Sequence, residues 1–136
     1  MTHRQVFVVT MESVDAVGIV FFGAYWNWFQ STFEGFIAAL SGSSWREVLA
    51  SGLAMPVVHA EVDYKKPLRL SEEVVVEMRL DGVGSRSVHF HAEFQNDSGE
   101  LVAEARTVNV VVGTDGMSQV EMPLWLVGSV AEPDTR

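Results

Sequence analysis

The stretch Val14-Asp15-Ala16-Val17-Gly18-Ile19-Val20-Phe21-Phe22-Gly23-Ala24-Tyr25 sets one carboxylate in a glycine-punctuated loop that runs into a long apolar helix. A helix start carries unpaired backbone N–H groups, and the aligned peptide dipoles add to their pull on negative charge. An acid beside such a start makes a minimal catalytic pair. One group attacks or deprotonates, and the other holds an oxyanion. The plainer alternative is that Asp15 caps a turn, a common use of Asp in loops. The loop alone does not separate the two.

Outward from the loop, a helix is expected over roughly 23–40, where Phe22, Tyr25, Trp26, Phe29, Phe33, Phe36, Ile37 and Leu40 keep helical spacing. Trp28, Ala38 and Ala39 widen that stripe and leave Asn27, Gln30, Ser31 and Glu34 polar. A helix apolar around most of its girth is expected to be covered on most sides. Before the loop, residues 4–10 read as a strand from their β-branched and aromatic content. After the helix, Ser41-Gly42-Ser43-Ser44 opens a short amphipathic turn, Trp45 to Ala50, which Gly52 closes.

The rest reads as sheet. Strands are expected at 54–66, at 73–80, around Val88 to Phe94 and at 100–112, with Asn96-Asp97-Ser98-Gly99 as a hairpin. The expected architecture is α+β: an antiparallel sheet wrapped around one long central helix, its later strands in meander, in one domain over 1–136. The tail from Thr114 has no assignment. The remaining sheet face, or the sheet edge, is where a homodimer would form.

Composition narrows the class. The chain is 48% hydrophobic and 20% charged, as an ordinary globular domain is. It shows no membrane-length apolar run and no apolar leader at its start, and it has no cysteine, which suits a reducing cytoplasm. A net charge of −9 argues against nucleic acid as a partner. Yet five of the nine basic residues (Lys65, Lys66, Arg69, Arg79 and Arg86) fall together. They either hold a small polyphosphate ligand or guard a strand edge.

Two segments in order carry a resemblance. Asp15-Ala16-Val17-Gly18-Ile19-Val20-Phe21-Phe22 resembles the Asp-x-x-Gly-Val/Ile-Val-aromatic signature of the hotdog-fold acyl-CoA thioesterases of the 4-hydroxybenzoyl-CoA thioesterase family. The later Met55-Pro56-Val57-Val58-His59-Ala60-Glu61-Val62-Asp63-Tyr64 resembles the branch that hydrolyses 1,4-dihydroxy-2-naphthoyl-CoA. The resemblance spans about residues 4–112 and implies a hotdog fold and an acyl-CoA thioester hydrolase. It implies Asp15 as nucleophile or general base, the Phe22 backbone N–H on the thioester carbonyl, and Arg86 against the CoA phosphates. It also implies sites at a subunit interface, in dimers or a homotetramer. Two positions depart from the family: Ser13 stands where many members carry a second acid, and Gln30 where the hydroxybenzoyl branch tends to have one.

The chemistry stands without the family name. A thioester is activated, so an ionised carboxylate can attack it or take a proton from water with no metal or other cofactor. Coenzyme A would be part of the substrate. The aromatic side chains of Tyr25 and Trp28, the latter off the main stripe, are candidates to line a flat acyl pocket, although helical aromatics also serve as plain core. His59 either faces a substrate channel or is a hydrogen-bonded core or interface histidine. His89 and His91 have chelating spacing but no third ligand, so a solvated face is expected. Against the enzyme stands a non-hydrolytic module of the same shape that binds an acyl group on CoA or a carrier protein. Fold alone does not choose between them.

Overall fold

The computed structural model describes residues 1–130. Strand β1 (Thr2–Val8) leads through a 3-10 turn at Met11–Ser13 and the Asp15 loop into helix α1 (Ala24–Ser41). The short α2 (Trp45–Ala50), β2 (Leu53–Ala54) and β3 (Val57–Tyr64) follow. Then come β4 (Glu73–Val83), β5 (Ser87–Gln95), β6 (Leu101–Val110), β7 (Val112–Gly113) and α3 (Leu124–Val127). The five long strands form one antiparallel sheet in the order β1-β4-β5-β6-β3, and β2 pairs with β7. This is the α+β hotdog arrangement, one long helix laid on an antiparallel sheet.

The strand order corrects the expected meander. Only β4, β5 and β6 run as one, while β3 pairs with β6 at the far edge and β1 pairs with β4. The cause is local. Pro56 cuts the expected 54–66 strand in two, and residues 65–72 then cross the end of the sheet to reach β4. Leu68, fully buried, plugs the core during that crossing, and its carbonyl accepts the N–H of Val20 at 2.9 Å.

Strand alternation builds the core. Val74, Val76, Met78 and Leu80 of β4 and Val88, Phe90, Ala92 and Phe94 of β5 are buried against α1. Helix α1 starts one residue later than expected and ends at Gly42, whose φ of 74° suits a left-handed cap. Eight of its eighteen residues are buried, and Phe33 packs edge-on against both Trp45 of α2 and Phe90 of β5. Its other face carries the exposed Asn27, Gln30, Ser31 and Glu34, so this chain covers the helix on one side only. From the unassigned tail, α3 adds buried Leu126 beside α1.

The outer sheet face holds a second correction. His89 is exposed as expected, but His91 is 1% exposed. Its Nε2 lies 2.6 Å from Glu104 Oε1, which also accepts the Arg106 guanidinium at 2.7 Å. Arg79 and Arg106 are the cross-strand partners of His91 on β4 and β6. The hydrogen bond from His91, aided by the charge of Arg106, holds the Glu104 carboxyl below its ordinary value against the opposing cost of burial. A carboxyl lowered on folding stabilises the fold above its unfolded pKa, and that gain is lost as pH falls through the folded value. Glu104→Gln should therefore lower Tm at neutral pH and shrink the loss of Tm seen as pH falls below the ordinary carboxylate range. Thermal melts across that range check it.

Candidate active site

The loop that carries Asp15 is a small folded-back ribbon. Val14 and Val20 bridge, Asp15 N–H bonds the Ile19 carbonyl at 2.8 Å, and Phe21 N–H bonds the Ser13 carbonyl at 3.1 Å. Gly18 turns the tip at a φ of 79°, where a Cβ would be strained whatever the space. Asp15 Oδ1 accepts the N–H groups of Val17 at 2.9 Å and Ile19 at 3.2 Å. The turn-capping alternative is thus realised, yet it engages one carboxylate oxygen. Oδ2 has no hydrogen-bond partner among the described residues, and the side chain is exposed.

Beside the loop lies a cleft of about 320 Å³ lined by Ile19, Phe22, Tyr25, Tyr64, Lys65 and Lys66, among others. Phe22 directly precedes Gly23, the cap of α1, and its side chain is 74% exposed. Its N–H finds no acceptor among the described residues, while its carbonyl accepts the Tyr64 hydroxyl at 2.8 Å. Tyr64 thereby ties the last strand turn of β3 to the approach of the helix. The Tyr25 ring packs edge-on against Trp28, Tyr64 and Phe94 at 5.5, 5.1 and 5.4 Å. Burial, then the nearby Tyr64 and Glu72, push its phenol up to about 12, so it stays a protonated donor at neutral pH. Lys66 pairs with Glu100, and Lys65 is exposed.

Larger hollows exist, of about 880 Å³ near Ser85 and Gln119 and about 480 Å³ beside Trp28. The smaller cleft joins the free Phe22 N–H to the loop of the carboxylate and is the candidate site. Among the described residues no three His, Asp or Glu converge as a metal site.

The sequence candidates are only partly brought together. Asp15, Phe22 and Tyr25 share this end of the sheet. Trp28 sits one helical turn on, stacked against Phe7 and nearly buried in the core. His59 is exposed on β3, 3.9 Å from Glu61 Oε1. Arg86 precedes β5 at the opposite end, its guanidinium donating to Gln119 Oε1 at 2.9 Å. The nine residues of β5 set that end roughly 30 Å from the Asp15 end of the same chain. Tyr64 was missed as a site residue. Its parity with Ala60 and Val62, which places it on the helix side of β3, was the available signal.

The fold and this cleft define the class: hotdog-fold thioesterases. The family model of the thioesterase-like superfamily matches residues 9–130, and the chain belongs to that family. It is an enzyme of the acyl-CoA thioester hydrolase class. The 1,4-dihydroxy-2-naphthoyl-CoA hydrolase of Synechococcus elongatus is 24% identical over 119 residues, covering 85% of each chain. The crystal structure of a 1,4-dihydroxy-2-naphthoyl-CoA thioesterase from Synechocystis superposes with a TM-score of 0.85 at 18% identity, over 100% of both chains. A gentisyl-coenzyme A thioesterase structure gives 0.83 at 22% identity, over 91% of this chain and 98% of that one. These two superpositions establish the shared fold. Among the described residues no helix is long and apolar enough to cross a membrane.

Proposed function

We propose that this protein hydrolyses an aromatic acyl-CoA to the free acid and coenzyme A, with Asp15 as nucleophile or general base and the Phe22 N–H holding the developing oxyanion. The observation that carries this reading is the free Phe22 N–H at the head of α1, in a cleft bordered by the loop that orients the Asp15 carboxylate. The carboxylate takes a proton from the water that adds to the thioester carbon, or it adds there itself and is freed when water cleaves the resulting anhydride; on either course the C–S bond breaks and the thiolate leaves. One donor aimed at the oxyanion is worth about 3–4 kcal/mol of barrier. Rings around the cleft suit a flat acyl group, as do the aromatic acyl-CoA substrates in the names of the relatives. A reducing cytoplasm suits the cysteine-free chain.

The working unit in this proposal is a homodimer or a tetramer of dimers. Strand β3 is an open edge with Val58 62% exposed, alongside exposed Val57 and Tyr64. An open apolar edge invites pairing with another chain. A two-fold pairing of β3 with a second β3 is antiparallel. It sets the Arg86 end of one chain beside the Asp15 end of the other. Arg86 and the exposed His59 would then serve the partner's site, which accounts for their distance from Asp15 in one chain.

Release of free thiol from benzoyl-, 2-naphthoyl- and hexanoyl-CoA tests the activity, and light scattering tests the assembly. A preference for the hexanoyl ester would sink the aromatic assignment, and a stable monomer would sink the shared site. Arg86→Ala should raise KM for full CoA thioesters far more than for pantetheine thioesters, since it removes binding remote from the reacting carbon. Equal effects on both would move the phosphate contact to Lys65 or Lys66.

A further inference from the structure

We infer that the Tyr25 hydroxyl is a second donor to the thioester oxygen, paired with the Phe22 N–H; this rests on the reading of the cleft given above. Tyr25 is 3% exposed and lines the cleft, yet its hydroxyl makes no hydrogen bond among the described residues. A buried phenol normally finds a partner. The hydroxyl is also not sealed in: the one sealed, unpartnered side-chain atom among the described residues is His91 Nδ1. The hydroxyl therefore keeps some access to solvent, and the cleft is an opening that Tyr25 lines. Its neighbour Tyr64 has already spent its own proton on the Phe22 carbonyl, which leaves Tyr25 as the unspent phenol donor of the pair.

The position suits a carbonyl oxygen that gains charge. Tyr25 lies in the first turn of α1, three residues after Phe22, so both donors stand at the positive end of the helix. The ring is clamped by Trp28, Tyr64 and Phe94, so the hydroxyl needs little reorganisation as the reaction proceeds. When the carboxylate or water adds to the carbonyl carbon, the π electron pair moves onto oxygen. It returns as the C–S bond breaks and sulfur leaves as thiolate. Tyr25 keeps its proton throughout and only donates a hydrogen bond.

The test compares wild-type protein, Tyr25→Phe and Asp15→Asn on benzoyl-CoA and 2-hydroxybenzoyl-CoA. Tyr25→Phe keeps the ring and its packing. We expect kcat to fall about 10²-fold on both esters, with KM and Tm near wild type. An unchanged kcat would overturn the inference. So would a loss confined to 2-hydroxybenzoyl-CoA, which would assign the hydroxyl to reading the acyl ring. If Tyr25→Phe fails to fold, 3-fluorotyrosine at position 25 replaces it. The more acidic phenol should then change kcat at constant KM, and no change would again overturn the inference. Asp15→Asn at wild-type rates would instead sink the catalytic reading as a whole, whatever Tyr25 does.

Discussion

Asp15→Asn should lower kcat by about 10²–10⁴-fold, the usual range for losing general acid–base action, with Tm and oligomeric state preserved. Asn retains the side-chain oxygen that accepts from Val17 and Ile19, so the ribbon and its Gly18 turn should survive the change. What it loses is charge and basicity. An amide at neutral pH neither adds effectively to a thioester carbon nor accepts a proton from water. Steady-state thiol release beside a thermal melt separates the two effects. If the variant retained more than a tenth of wild-type activity, the free Oδ2 would not be the reacting atom.

Phe36→Ala should remove about 3–5 kcal/mol of stability, the usual cost of emptying a buried aromatic site. That corresponds to roughly 10–17 °C in Tm for a domain of this size. Phe36 is fully buried in the C-terminal half of α1, stacked on His3 at 5.9 Å and edge-on to Phe90 at 6.4 Å. It is the point where the helix grips both β1 and the middle of the sheet. Its neighbours cannot collapse into the space, because Phe33 and Phe90 are already held against each other at 5.2 Å. Chemical denaturation of the two proteins reads the loss directly, and a change below 1 kcal/mol would show that the helix is anchored elsewhere.

The helix, the Asp15 loop and the β4–β5–β6 meander were legible because each depends on neighbours close in sequence. Spacing of Phe29, Phe33 and Phe36 declares a helix face, and Asn96 to Gly99 declares a hairpin, without knowledge of anything distant. The place of β3 was not legible. Alternation along a strand tells which residues share a face but not which strand lies alongside, so β3 reads the same at the edge as next to β4. His91 shows a related blindness. Its parity puts it on the outer face, and the outer face usually means water. Its neighbours across the strands, Arg79 and Arg106, come from β4 and β6 and are not adjacent in sequence. At the candidate site, the carboxylate and the helix start were readable from one segment. The Tyr64 contact with Phe22 spans 42 positions and was not. Arg86 was chosen by its match to a family position, which says nothing of the strand's length between it and Asp15.

The crossing of β3 to the far edge also orders the assembly of the chain. Strands β4, β5 and β6 are joined by tight turns, and closing such short loops costs little entropy. Strand β1 must instead find β4 across the whole helical segment, Val8 opposite Glu73, and β3 must find β6 across two intervening strands. The meander is therefore the part of the fold able to nucleate, and the two edges attach to it afterwards. The Asp15 ribbon hangs between those late arrivals: Val9 holds it to the start of β4, Leu68 to the crossing segment, and Tyr64 to β3. Amide exchange should accordingly find the ribbon opening with the edges while the meander stays shut. On that order the geometry proposed for catalysis would form at the last step of folding and open at the first step of unfolding.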